Sequence, residues 1–350
     1  MHLKTVAGTA ALVVGGAGFV GSNLVRKLLA GDAANIHIVD NLLSAERDNI
    51  PNDGRVFFTE ASITSDRVLT AIADDYDFVF HLSTYHGNQS SIHDPLADHE
   101  NNTLTTLKLF ERIKNFRKVK KVVYSSAGCS VAEKTFDEAK ATEETELVSL
   151  TQDSPYSMSK IFGEFYAKYY YKQHALPTVR ARFQNVYGPG EILGAGCWRG
   201  TPASVWRNVT PTFIYKALKQ EAIPLENEGV ASRDFIYVED IVAGLIACAV
   251  DGNPGEAYNL ASGRETTIRE LAERVNALTG NPTPIELLPK RAWDNSGKRY
   301  GSPAKSEREL RFVATTMLDD GLPRTVKWTR ENFELIERNI AKHTIHLRGL

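Results

Sequence analysis

The first half of the chain alternates short β-branched runs with longer stretches in which apolar residues recur every three to four positions. That alternation predicts a parallel sheet wrapped by helices, an α/β doubly wound architecture. Strands are expected at Ala11–Val14, Ile36–Asp40, Val56–Glu60, Phe78–Leu82, Val122–Ser126 and Thr178–Phe183. Helices are expected over Gly21–Leu29, where Val20, Leu24 and Leu28 share a face, and over Leu96–Phe116, with Leu104, Leu107, Ile113 and Phe116 as core contacts. A third covers Tyr156–Gln173. After about Tyr187 the pattern becomes patchy, and Gly and Pro cluster from Gly188 to Pro202. Further on, helices are expected at Pro211–Gln220, Glu239–Val250 and Ile268–Leu278, and strands at Asp234–Val238 and Ala257–Ala261. A basic stretch with prolines, Pro282–Lys305, precedes a final amphipathic helix. We read a larger domain over residues 1–187, with segments around 234–262 contributing to it, and a smaller α/β lobe over residues 188–350.

Composition narrows the class. The 350 residues are 42% hydrophobic and 24% charged, ordinary globular usage that excludes disorder. Net charge is -2 with both signs interspersed, so there is no electrostatic reason to expect nucleic acid or an anionic membrane. Three scattered cysteines (Cys129, Cys197 and Cys248) suit neither a disulfide framework nor a zinc cage, and no metal is expected. No apolar run reaches the roughly 18 residues of a membrane span. The apolar start, Val6 to Val20, carries four glycines and no convincing cleavage site, so a cytoplasmic protein is expected.

Those glycines carry chemistry. Gly15-Gly16-Ala17-Gly18-Phe19-Val20-Gly21 joins the first strand to the first helix, and fits both G-x-G-x-x-G (Gly16, Gly18, Gly21) and G-x-x-G-x-x-G (Gly15, Gly18, Gly21). Such a turn lets backbone N–H groups and a helix N-terminus approach a pyrophosphate. Asp40 ends the second strand about 20 residues on, where an acid accepts hydrogen bonds from adenosine ribose hydroxyls. Its charge repels a 2′-phosphate and no arginine follows it, which favours NAD over NADP. Downstream, Tyr156 and Lys160 lie four apart on one face of a helix. A tyrosine with a pKa near 10 is a poor base alone, and a neighbouring ammonium stabilises its phenolate.

These motifs come in order with others: Asp77–Leu82, Asp94-Pro95 with Asn102, Arg182-Phe183-Gln184-Asn185-Val186-Tyr187-Gly188-Pro189, Arg233-Asp234-Phe235-Ile236-Tyr237-Val238-Glu239-Asp240 and Ala304–Leu310. Over Val13 to about Glu334 the chain resembles the extended branch of the short-chain dehydrogenase/reductase superfamily, the NAD-dependent nucleotide-sugar epimerases and dehydratases, and most of all the 4-epimerases. The resemblance implies a Rossmann sheet, a homodimer, NAD as cofactor and a nucleotide-diphosphate sugar as substrate. It implies cofactor contacts from Gly15, Gly18, Phe19, Val20, Gly21, Asp40, Asn41, Ser62, Ile63, Leu82, Ser83, Thr84, Asn102, Tyr156 and Lys160. Asn185, Arg233 and Arg291 would hold the substrate diphosphate. The catalytic hydroxyl after the fifth strand falls on Ala127 in an ungapped count from Tyr124 and on Ser126 after a one-residue shift; we favour Ser126, touching the substrate, beside Tyr156 and Lys160.

The family's shared step is oxidation of a sugar carbon by hydride transfer to NAD. A dehydratase adds an Asp-Glu pair after that hydroxyl, and a decarboxylase a Glu; Ala127-Gly128-Cys129 supplies no carboxylate. The expected reaction is inversion at C4 through a transient 4-keto sugar. A 3,5-epimerase using Cys129 is the rival, with dehydration or decarboxylation and a non-catalytic NAD sensor behind it; the retained Tyr156 and Lys160 speak against the sensor.

Overall fold

In the computed structural model, which describes residues 2–128, 131, 135–294 and 297–348, seven strands form one parallel sheet. They are β1 (Ala10–Val14), β2 (Asn35–Asp40), β3 (Val56–Glu60), β4 (Phe78–His81), β5 (Lys121–Ala127), β6 (Thr178–Phe183) and β7 (Ala257–Leu260). Their order across the sheet is β7-β6-β5-β4-β1-β2-β3, so the winding reverses between β1 and β4. Loops leaving the carboxyl ends of those two strands run in opposite directions and open a crevice, the place where such sheets bind ligands.

Both faces of the sheet are covered, which is why the strands read as nearly unbroken apolar runs. On one face Ala11 and Val13 pack with Leu24 and Leu28 of α1 (Phe19–Ala30) and with buried residues of the helix Val238–Val250. On the other, Leu12 and Val14 join Leu109 and Phe110 of the helix Thr105–Ile113, and Tyr170 of the helix Pro155–His174. Each such fully buried aliphatic side chain contributes roughly 1.5–3 kcal/mol. The late strand β7 pairs with β6 from Ala257↔Arg180 to Leu260↔Phe183 and closes the edge.

A second cluster, including Tyr187, Phe213, Tyr237, Leu271 and Leu322, forms the core beside the crevice. Its helix Ile268–Thr279 starts on a capping box, Thr267 Oγ1 accepting from Glu270 N at 3.1 Å, and stops at Gly280, whose φ is +70°.

The expected helix over Leu96–Phe116 is interrupted. It runs as Pro95–Asp98, a π turn over His99–Leu104, then Thr105–Ile113. The wide turn inserts a residue and rotates the face that follows. Leu109, Phe110 and Ile113 therefore reach the core, while Leu104, Leu107 and Phe116 are only partly buried. The final amphipathic stretch is three helices, Leu318–Glu331, Phe333–Ala341 and Thr344–Leu347. Among the described residues no helix is long and apolar enough to cross a membrane.

Candidate active site

The turn after β1 shows which of the two glycine spacings operates. Gly15 has φ +87°, and a Cβ on it would lie 2.5 Å from Ser83 N. A Cβ on Gly21 would lie 2.1 Å from Gly15 O, so α1 can sit on the turn only with glycine there. Gly16 instead packs beneath Ile38 and Val13. At Gly18 a Cβ would meet no neighbour closer than 3.4 Å, so the fold itself does not demand glycine at this position. Gly15, Gly18 and Gly21, with Phe19 and Val20, line a cleft of about 800 Å³ at the switch point. A glycine that the packing does not need, at a helix N-terminus facing a cleft, suits close approach of a phosphate.

The ends of the next strands line the same cleft. Asp40 closes β2 and accepts from Ala17 N at 3.0 Å and Leu42 N at 2.9 Å, which ties the acid to the glycine turn. Burial pushes its carboxyl above the usual range, against backbone N–H bonds from Leu42, Ala17 and Gly18. Asn41, Ser62, Ile63, Leu82, Ser83 and Thr84 complete this wall. Asn102 stands behind the wall rather than in it. Its Oδ1 accepts from Tyr85 N at 2.7 Å and from Thr84 Oγ1 at 3.0 Å, and its Nδ2 donates to Asp98 and Ser159. With its amide fully used, Asn102 positions the Leu82–Tyr85 loop and does not itself line the cleft.

Tyr156 and Lys160 rise from the first turns of the helix Pro155–His174, which is capped by Ser154 and starts on Pro155. Tyr156 N donates to Ser91 Oγ at 3.1 Å. Lys160 is buried, donates to Ser125 O at 3.1 Å, and places Nζ 5.9 Å from the centre of the Tyr156 ring. A buried ammonium this close favours the phenolate over the phenol.

Ser126 lines the cleft, but its Oγ donates to Glu164 Oε1 at 2.5 Å. Burial would raise the Glu164 carboxyl, yet Arg182, Arg180 and the Ser126 hydroxyl together hold it below its usual range. Arg182 bonds it twice at 2.8 Å. The Ser126 proton is thus committed to a fixed carboxylate. Its lone pairs can accept from a sugar hydroxyl, whereas donation to a reacting oxygen requires the Glu164 bond to break. Cys129 lies outside the described residues.

Asn185, Arg233 and Arg291 also line the cleft. Arg233 Nη1 donates to Ser232 O at 2.6 Å and Gly297 O at 2.7 Å. Arg291 sits at an exposed rim, paired with Glu226.

Two cleft residues escaped the motif reading. Gln184 stands over Gly128, where a Cβ would lie 2.2 Å from its Nε2, so no larger side chain fits at 128 without displacing it. It sits inside the Arg182–Pro189 motif, and that placement was the available signal. His86 places its ring 5.9 Å from Tyr156 at a 68° angle, and its buried Nδ1 has no partner. Nothing in its spacing marks it out.

The arrangement fits a dinucleotide, with an adenosine-side acid, a glycine turn at a helix N-terminus, and a tyrosine–lysine pair beyond. Comparison with known proteins agrees. Residues 11–261 match the model of the NAD dependent epimerase/dehydratase family. The chain is similar to the Bordetella bronchiseptica enzyme WbmF, solved with NAD+ and UDP, at 63% identity and a TM-score of 0.89 over 98% of each chain. It is 28% identical to UDP-glucose 4-epimerase of Mycolicibacterium smegmatis over 91% of this chain and 98% of that one. It is also similar to DesIV, the dTDP-glucose 4,6-dehydratase of Streptomyces venezuelae, at 26% identity and a TM-score of 0.83 over 94% of this chain and 99% of that one. The chain therefore belongs to the NAD dependent epimerase/dehydratase family.

Proposed function

We propose that this enzyme inverts C4 of a nucleotide-diphosphate sugar. The relatives include both 4-epimerases and a 4,6-dehydratase, so the choice rests on the site. The observation that carries it is Tyr156 paired with Lys160 beside an Ala127-Gly128 segment that bears no carboxylate and is roofed by Gln184. Elimination across C5 and C6 needs an acid and a base there, and neither has a seat.

Bound NAD supplies the acceptor that takes a hydride from C4 and returns it. The chain's own groups handle the proton and the geometry. Tyr156, held as phenolate by Lys160, takes the 4-hydroxyl proton and gives it back to the opposite configuration. Ser126 accepts from a sugar hydroxyl with its lone pairs, while Asn185, Arg233 and Arg291 hold the diphosphate, Arg291 exchanging Glu226 for phosphate oxygens. Uridine is our choice of base, supported by the UDP bound to WbmF. Mass analysis of the denatured enzyme tests the assignment: released NAD with a co-purifying uridine diphosphate sugar is expected, and a deoxy keto sugar nucleotide would contradict it. The rival 3,5-epimerase reading rests on Cys129 alone and predicts deuterium at C3 or C5 after turnover in heavy water.

We also infer a homodimer. Met158, Phe162, Phe165 and Tyr169 repeat at helical spacing along the outer face of Pro155–His174 and are about half exposed, with Leu96 exposed nearby. A contiguous apolar stripe of this kind calls for a partner, and a second copy presents the matching stripe by symmetry. Phe162→Glu with Phe165→Glu should give a monomer by light scattering; a variant that stays dimeric removes this interface.

A further inference from the structure

The segment that follows the Arg182–Pro189 motif holds two guanidinium groups, those of Arg199 and Arg207. Arg199 is 5% exposed, and neither it nor Arg207 forms an ion pair among the described residues. Burial pushes the Arg207 group down to about 10, with Arg199 adding like-charge repulsion. The acids whose fields reach Arg207 are Glu191 and Glu46, and both bond elsewhere, to Asn208 and to Gly196 N and Lys342. Arg207 Nη2 donates to Ala195 O and to Ser204 O at 3.3 Å, but other donors are left over: Arg199 Nε and Nη2, Arg207 Nε and the Thr201 hydroxyl are buried without partners, as is one acceptor, Glu191 Oε2. Buried cations are normally paired, because an unpaired charge taken out of water is unfavourable. So much unspent donor capacity in one place implies an anion.

Its position identifies which anion. The segment leaves the first turn of α1, where Asn23 Nδ2 donates to Pro189 O at 3.2 Å. It then crosses to the loop beyond Asp40. Cys197 N donates to Leu43 O at 3.0 Å, Gly196 N to Glu46 Oε1 at 2.8 Å, Arg199 Nη1 to Ser44 Oγ at 2.7 Å and Arg207 Nη1 to Ser44 O at 2.8 Å. The approach is backbone-close: Gly196 has φ +81°, and a Cβ on it would lie 2.4 Å from Leu43 O. The crossing therefore joins the pyrophosphate end of the glycine turn to the adenosine-side loop, and Arg207 and Ser44 both line the cleft beneath it.

We propose that Gly190–Arg207 is a strap closed over the dinucleotide, in which Arg207, reinforced by the charge of Arg199, binds the cofactor's pyrophosphate. The strap must open before the cofactor can leave, so exchange is slow. This inference rests on the family's use of NAD and not on inversion at C4; it holds equally for a dehydratase.

The test is cofactor release from the purified holoenzyme, chased with excess fluorescent etheno-NAD, with UDP affinity measured in parallel. Arg207→Met should release NAD at least tenfold faster, and Arg199→Met should move release in the same direction, with UDP affinity changed less than twofold in both. Unchanged release in both variants overturns the proposal. So does weakened UDP binding with cofactor release unaltered, which would assign the pair to the substrate. Should Arg207→Met fail to fold, amide hydrogen exchange over the strap of the unaltered protein decides: greater protection in the NAD-loaded than in the NAD-stripped protein supports the strap, and equal exchange in the two overturns it.

Discussion

Replacing Tyr156 by Phe is expected to lower turnover by about two to four orders of magnitude, the usual worth of a positioned general base. The substitution removes one oxygen and leaves the ring, so the edge contact with His86 and the backbone bond to Ser91 Oγ persist. Binding of the nucleotide sugar should change little, because Asn185 and Arg233, the residues proposed to hold the diphosphate, are left intact. The loss should therefore appear in kcat rather than KM. Tyr124 cannot substitute as base: it is fully buried under Lys160 O, and burial first, then the Glu164 charge, holds its phenol well above the ordinary range. Near-normal turnover in the Phe variant would remove Tyr156 from the chemistry.

The second large effect concerns the cofactor. Two unit charges several ångströms apart at an effective dielectric of about 20 repel by roughly 2–4 kcal/mol. A 2′-phosphate beside Asp40 should therefore weaken NADP relative to NAD by about two orders of magnitude or more. The wild-type protein provides the clean comparison. Asp40 also accepts from Ala17 N and Leu42 N, so an alanine there would loosen the glycine turn and blur the charge effect with a structural one. Equal affinities for the two cofactors in a titration would sink this role for Asp40.

Much of the fold was legible because both faces of the sheet are buried. Val56–Glu60 and Thr178–Phe183 have the bounds that their apolar runs suggest, and the strand expected at Ala257 pairs with Thr178–Phe183 at the edge of the sheet. Legibility ends where periodicity does. The π turn at His99–Leu104 is polar but for Leu104 and shifts the face that follows, which pattern alone cannot register. Gly15 and Gly16 are equivalent as letters; only the packing of Ile38 on Gly16 and the approach of Ser83 to Gly15 separate their roles. The alternation of β5 puts Ser125 and Ser126 on opposite faces. It does not say that the second meets Glu164, a contact made from 38 residues away. Asn102 was singled out by its place in the motif series, yet its work lies behind the cleft, in bonds to Tyr85 and Ser159 that no local spacing encodes. The strap lies in the Gly/Pro cluster, where irregular backbone gives no period to read and the unpaired arginines become visible only through their neighbours.

In the proposed inversion at C4 the hydrogen on the inverted carbon never leaves the active site. In that reaction Tyr156 would exchange only the hydroxyl proton, and the segment beside it offers Ala127 and Gly128 where an eliminating enzyme would carry acids. Turnover of the substrate in heavy water, followed by NMR of the product, tests this most directly. The account predicts the C4 epimer with no deuterium on any ring carbon and no net conversion of NAD to NADH. Deuterium at C3 or C5, or loss of water from the sugar, would contradict it.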